Sequence, residues 1–460
     1  MNKLLKWNPE FAKNVWLEFT TQRLIVMPTL IGLVVLLIVM SADSGARSTL
    51  HVFSMAGIVV LGFLWGIKTS ADAILDEYNE KTWDWQKMSV IGPWKLAWGK
   101  LLGSTIYNWY GTAICFIIYV LTSFGADDVR KEIQTAVLLL IGMVSVHGLM
   151  ILISLQMIRK SDGRTKIKSN RIFISGIIAM GFITNIFSSR FLDSFSTDVA
   201  WFGIVRGNMN LAMISALFYC CWIIAALYRS MRAELQFSDA PTWWLAFMGT
   251  SFVFHYGYFV TIESIGVAGG ISAAMAITFV EFFILLYLLA LSEPKDLVNF
   301  RLLEKLWKAG DRVTFLRNVP LWMVTLPVVF VFGFFAVFFL NIAVTGSLVE
   351  EFYQKLNLHG MSRTYPALIA VFGFVLRDLG ILVWLNLSNR SKRADSAWIV
   401  YLLVLYVLLP MLAKASDLPI GAAFYPDFYA SKIVMVLFPV VEAAVVLYLV
   451  KKRWSELKVE

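Results

Sequence analysis

Charge is what this 460-residue sequence has least of: only 15% of its residues are Asp, Glu, Lys or Arg, while 59% are apolar. Soluble domains carry about 25% charged residues, so a water-soluble fold is excluded. Cysteine is scarce as well. Cys115, Cys220 and Cys221 all fall inside apolar runs, which leaves no disulfide framework and no metal-ligand spacing. The four histidines, His51, His147, His255 and His359, are scattered, with no acidic or metal-ligating cluster beside them. A membrane-embedded transferase needs a base grouped with other polar side chains at one membrane face, and that grouping is missing. A phosphate-binding loop is missing too. The nearest stretch, Gly92 to Lys100, spaces its glycines too widely for GxxxxGK, puts Leu101 where Ser or Thr is needed, and loses a backbone donor at Pro93. Met1 to Arg23 lacks a short apolar core followed by a small-residue cleavage site, so no secretory leader is expected.

What the chain does have is long apolar runs. About twelve can span a bilayer: 24–40, 52–67, 101–122, 134–157, 172–188, 208–228, 242–261, 270–291, 320–345, 366–388, 396–413 and 430–450. The expected fold is an all-α polytopic membrane protein. Alternating the connections between two sides places most of the 40 Lys and Arg on the side of the N-terminus. Both termini are therefore expected in the cytoplasm. The net charge of +9 then needs no nucleic acid. Basic runs such as Arg159 to Arg171 and Lys451 to Trp454 are topology signals and contacts for anionic membrane lipids.

Between spans two and three stands a charged, Trp-rich segment, Ala71 to Lys100. It sets Asp76, Glu77, Glu80, Lys81, Asp84 and Lys87 beside Trp83, Trp85, Trp94 and Trp98. That composition suits a short helix in the interface plane, where a cytosolic partner can grip it. Trp side chains would fill a groove while the charges fix register. The plainer alternative is an interfacial anchor without a partner.

Phe11 to Gln22 reads as an amphipathic helix on the membrane, with Phe11, Val15, Trp16 and Phe19 on one face. A similar surface stretch, Tyr228 to Trp244, precedes span seven. This recurrence suggests two six-span halves in parallel orientation, 1–230 and 231–460. ILDE (Ile74 to Glu77) after span two matches ALSE (Ala290 to Glu293) after span eight. LQMIRKSDGR (Leu155 to Arg164) likewise matches LNLSNRSKRA (Leu385 to Ala394). In the second half the surface stretch, Leu297 to Arg317, has lost the Trp-rich core.

The segment E-x-x-x-x-T-W-D-W-Q-K-M-S-x-I-G-P-W-K-L-x-W-G-K-L-L-G (Glu77 to Gly103) resembles the region after span two in ABC-2 type permeases. These are the membrane subunits of ATP-binding-cassette exporters. Members carry a Glu, a Gly-Thr or similar pair, a hydrophobic turn with Pro, and Gly-Lys-Leu at the start of span three. Lys81 stands here in place of the usual Gly before Thr82. The N-terminal helix, the six-span unit and the long outer connection between spans five and six (Ser189 to Gly207, and Lys414 to Ser431 in the second half) are similar too.

The resemblance implies a permease in a bacterial inner membrane that moves a hydrophobic or amphipathic substrate outward. ATP and Mg would be used on a separate cytosolic ABC ATPase, two copies of which could dock on one chain. Energy would enter through the surface helices at Asp76 to Lys100 and Pro294 to Arg317. The docking residues implied are Glu77, Trp83, Asp84, Trp85, Lys87 and Trp94, with Glu293 and Arg301 in the second half. The chain itself is expected to carry no catalytic residue, cofactor or metal. The competing transport reading is a twelve-span secondary transporter driven by an ion gradient. Its short, basic, Gly-rich loop between spans two and three is not what stands here.

Inside the spans lie His147, Glu281, Arg377 with Asp378, and Glu442. A charge at the bilayer centre costs about 2.5–3.5 kcal/mol, so each should be paired or face a polar cavity. Arg377 can pair with Glu281 or with Glu442, while Asp378 points about 100° away on a helix. The group is either a structural ion pair or a polar patch on the translocation path. His147 reads as a hydrogen-bonded packing residue, and Gly62-x-x-x-Gly66 as a site of close helix approach.

Overall fold

The computed structural model describes residues 7–41, 45–124, 128–161, 166–167, 200–237, 239–262, 265–293, 295, 297–344, 363–387, 394–416, 421–426 and 431–459. The chain divides into two compact units, Met1–Asp239 and Ala240–Glu460. The boundary expected at 230/231 falls inside a helix that runs on to Glu234. Among the described residues ten helices are long and apolar enough to cross a membrane, which makes this an all-α polytopic membrane protein. The expected span 172–188 lies outside the described residues, as do 189–199 of the first outer connection and 417–420 and 427–430 of the second.

The first unit opens with α1 (Pro9–Glu18), capped by Asn8, whose Oδ1 accepts the N–H groups of Glu10 and Phe11. The helix ends at Glu18 rather than continuing to Gln22, and Phe19 is its non-helical C-cap. Then come α2 (Thr21–Ser41) and α3 (Ala46–Asn79), the latter with a widened π-helical turn over Ile58–Trp65. Two short surface helices follow, α4 (Trp83–Lys87) and α5 (Pro93–Trp98). Pro93 occupies the first position of α5, where its missing N–H costs nothing. A second π turn, Gly99–Gly103, leads to α6 (Ile106–Ser123), α7 (Val129–Lys160) and α8 (Asn208–Glu234). A two-residue hairpin, Ala200–Trp201 with Val205–Arg206, precedes α8. The core of the unit joins Ile58, Ile67 and Ile74 of α3 to Trp83, Leu96, Leu101 and to Met143 and Met150 of α7.

The second unit holds α9 (Thr242–Phe259) and α10 (Gly266–Ser292), the surface helices α11 (Leu297–Ala309) and α12 (Arg312–Asn318), then α13 (Leu321–Val344). It closes with α14 (Thr364–Asn386), α15 (Ala394–Ala415) and α16 (Lys432–Val459). Helix α9 occupies the expected span 242–261, but its Trp, Tyr, Thr and His side chains keep it out of the ten apolar helices.

Tyr228 to Trp244 forms no separate surface helix among the described residues. Its first part is the end of α8, and its Trp pair opens α9. Its charges are used locally: Glu234 pairs with Arg159 at 2.7 Å, and Arg232 grips both carboxylate oxygens of Asp239.

Candidate functional site

Two glycines build the surface site of the first unit. A Cβ on Gly99 would lie 2.7 Å from Glu10 Cβ, and one on Gly103 would lie 2.9 Å from Asn14 Nδ2. Their bare backbone therefore lets α1 lie directly on the π turn. Asn14 Nδ2 donates to the Gly99 carbonyl at 3.3 Å, and Asn8 Nδ2 to the Lys95 carbonyl at 2.8 Å. These contacts fix the orientation of α1. Its polar side faces protein, not water, while Trp16 is 69% exposed on the other side. An apolar outer face suits lipid, and the inner polar face needs partners.

Those partners are ionic. Lys100 is 1% exposed, and its Nζ contacts Glu10 Oε1 at 2.8 Å and Glu77 Oε2. Lys13 Nζ reaches Glu77 Oε1 at 2.9 Å and Glu10 Oε1 at 3.2 Å. Gln86 Nε2 donates to Glu77 Oε1 at 2.6 Å. The Lys100 ammonium also stands 5.9 Å from the centre of the Trp83 ring. Burial pushes the Glu10 carboxyl up, but the charges and hydrogen bonds of Lys100 and Lys13 outweigh it and hold Glu10 below the ordinary carboxylate range. Burial likewise pushes Lys13 down, and Glu77 and Glu10 more than restore it, leaving it raised. The cluster ties three segments together: α1, the end of α3, and the turn that starts span three.

The structure sorts the expected docking residues into two groups. Glu77 is committed to the internal cluster. Trp83 is 1% exposed and belongs to the core, so the expectation that it fills a groove on a partner is corrected. Trp85 is 74% exposed, Asp84 is exposed and paired with Lys87 at 2.7 Å, and Trp94 is half-exposed, edge-on to Trp98 and Tyr228. In the second unit Glu293 is used internally: its carboxylate accepts the N–H groups of Leu321 and Trp322 at 3.0 and 3.3 Å, capping α13. Arg301 donates to the Leu457 carbonyl. Lys81 adopts φ 65°, the left-handed region that favours glycine, which supplies a physical reason for Gly at that position in the resembled pattern.

The mid-span groups fall into three separate places. His147 Nε2 donates to the Gly62 carbonyl at 2.8 Å, and Asn108 Nδ2 donates to that of Leu61 at 3.1 Å. Both carbonyls lie in the π turn of α3, and the two side chains from α7 and α6 satisfy them. A Cβ on Gly66 would sit 2.1 Å from His147 Nε2, and one on Gly62 would sit 2.7 Å from Met143 Sδ. The Gly62/Gly66 pair is therefore the seat of α7. Glu281 faces His255 at 3.8 Å and does not reach Arg377.

Arg377 instead pairs with Glu442 at 2.7 Å and, through Nε, with Asp378 at 2.9 Å. The sequence neighbours do meet, because the long Arg side chain folds back across its own helix. Asp378 also accepts the hydroxyls of Tyr287 and Tyr406 at 2.8 and 2.7 Å, and its backbone carbonyl accepts Trp398 Nε1 at 2.7 Å. Gly373 and Gly380 bracket Arg377: Cβ atoms there would strike Pro439 at 2.7 Å and Val446 at 2.6 Å. That close approach of α14 and α16 is what presents Glu442 to Arg377.

No family model, curated protein or solved structure matches this chain.

Sequence reading missed Glu10, Lys13 and Lys100 as a cluster. The signals were there in part: Asn-Pro-Glu is a helix start, and Gly-Lys-Leu-Leu-Gly flanks one lysine with two glycines. Nothing local, however, links residue 10 to residue 100.

Proposed function

We propose that the chain is the membrane permease subunit of an ATP-driven ABC exporter of the ABC-2 type, moving a hydrophobic or amphipathic substrate outward. The observation that carries the reading is the construction of the segment between α3 and α6. Its inner side is fastened by Lys100, Glu77, Glu10 and Trp83, and its outer side offers Trp85, Asp84 and Trp94 on two short helices. A surface rigidly tied to the ends of two spans can pass a partner's movement into them. Exposed Trp beside charge is the composition of a protein-binding surface. The partner is a cytosolic ABC ATPase, which would bring ATP and Mg, and the resemblance of Glu77 to Gly103 supports the same assignment. The positive-inside distribution of Lys and Arg supports cytoplasmic termini and an inner-membrane location.

The experiment is capture of the ATPase encoded nearest to this chain by the detergent-solubilised protein. Trp85→Ala with Trp94→Ala should lower capture by at least about tenfold, since hot-spot aromatics contribute about 2 kcal/mol or more each. Wild-type protein that stays monodisperse and captures no ATPase would overturn the reading. An ion-gradient-driven transporter would then be the alternative, supported by the Arg377, Asp378 and Glu442 group, because intramembrane charges mark ion pathways.

A further inference from the structure

The surface stretch of the second unit differs in kind from α4 and α5. On α11 the inward side carries Leu303 and Phe300, both packed on the unit. The outward side carries two adjoining stripes. Val298 and Leu302, four residues apart, form an exposed apolar stripe, and Arg301, Lys305 and Lys308 form a basic stripe beside it. Helix α12 continues the pattern, exposing Val313 and Leu316 beside Arg312 and Arg317. The Arg312 guanidinium lies 3.6 Å from the centre of the Trp307 ring, joining the two helices across the turn. Against these five basic residues stand only Glu304 and Asp311, the former paired with Lys308 at 2.8 Å and the latter capping α12.

The depth of the stretch is set by its ends. Span α10 stops at Ser292 and span α13 begins at Leu321, so the chain leaves and re-enters the membrane on one face. Glu293 holds the two ends together by capping α13. The stretch therefore runs at headgroup level, and its outward face mixes apolar and basic side chains in the manner of helices that lie in anionic bilayers.

The geometry points to α11–α12 as a binding site for anionic phospholipid headgroups of the chain's own membrane, with Lys305, Lys308, Arg312 and Arg317 meeting phosphates while Val298, Leu302, Val313 and Leu316 enter the acyl boundary. Charge complementarity and continuity with the lipid-facing span α13 select the bilayer as occupant. The inference rests on the membrane placement of the chain and is independent of the ATPase.

The test uses the full chain in nanodiscs with an environment-sensitive fluorophore on Leu302→Cys. Cys221, the exposed native cysteine, is changed to Ala, while Cys115 and Cys220 are buried. In discs with about one-third phosphatidylglycerol the emission shifts to the blue and doxyl-labelled lipid quenches it. Lys305→Gln with Lys308→Gln should lower the preference for anionic over phosphatidylcholine discs by about tenfold or more. A label on Val90→Cys, fully exposed in the first unit, serves as the water-accessible reference. Iodide quenching at 302 as strong as at 90 in anionic discs would overturn the proposal. So would shielding of 302 that arises only when ATPase is added, which would give the surface to that protein instead.

Discussion

Each unit buries one cation between two carboxylates, and the two do so at different depths. In the first, Lys100 sits among Glu10 and Glu77 where a surface segment turns into span three. In the second, Arg377 sits between Asp378 and Glu442 in the middle of α14. The units also solve a shared task differently. The carboxylate closing ILDE, Glu77, reaches a lysine ahead of the next span, whereas the one closing ALSE, Glu293, reaches backbone N–H groups at the start of the next span. A buried ion cluster is unforgiving, since losing one member strands the others, while a cap is worth about 1 kcal/mol. The first surface segment is therefore fastened by a cluster whose members depend on one another. The second is held by the Glu293 cap, by Phe300 and Leu303 packed on the unit and by Arg301 on the Leu457 carbonyl, with no buried ion cluster among the described residues of 297–317.

The largest effect should follow removal of either cation. Arg377→Leu strands two carboxylates at mid-span and should cost about 3–5 kcal/mol, read as a fall in the thermal unfolding midpoint in detergent. Lys100→Leu should cost about as much or somewhat less, because Glu77 is partly exposed and Lys13 remains. Trp83→Ala, which empties a core position beside Lys100, should cost about 3–5 kcal/mol. Trp85→Ala should change stability by less than about 0.5 kcal/mol, and equal losses at 83 and 85 would break the division between inner and outer faces.

Glu293→Ala should cost only about 1 kcal/mol, so a loss matching that of Lys100→Leu would erase the contrast between units. Lys81→Gly relieves a left-handed residue and should stabilise by about 1 kcal/mol.

The smallest effect is a pH limb. Because the folded Glu10 carboxyl is held low, its contribution is complete above the unfolded value of about 4.3 and is lost as pH falls through the lower folded value. Lys13, held high, contributes fully below about 10.4 and loses this as pH rises further. Glu10→Gln should flatten the acid limb of the unfolding midpoint between about pH 3 and 5, and an unchanged limb would remove Glu10 from the cluster.

Much of the architecture was legible in the residues, and the misses have identifiable causes. The Trp-rich composition points to one short helix between spans two and three; the structure has two, Trp83–Lys87 and Pro93–Trp98, because Gly92 is extended and Pro93 starts a new helix. The Gly62/Gly66 pair read correctly as packing. The amphipathic pattern of α1 is plain in its residues, but hydropathy alone cannot say whether polar side chains meet water or other polar groups of the protein. Trp83 and Trp85 are chemically alike and two residues apart, so only the packing against Leu96 and Leu101 separates a core side chain from an exposed one.

By itself the sequence determined the membrane class and the positions of most spans, because the length of an apolar run and the charges beside it are local properties that solvent reads directly. Only the tertiary structure decided which charges meet. Glu10 with Lys100, and Arg377 with Glu442 rather than Glu281, depend on backbones brought together at Gly99, Gly103, Gly373 and Gly380. Contacts across such distances in sequence are set by how helices pack, which no local pattern records.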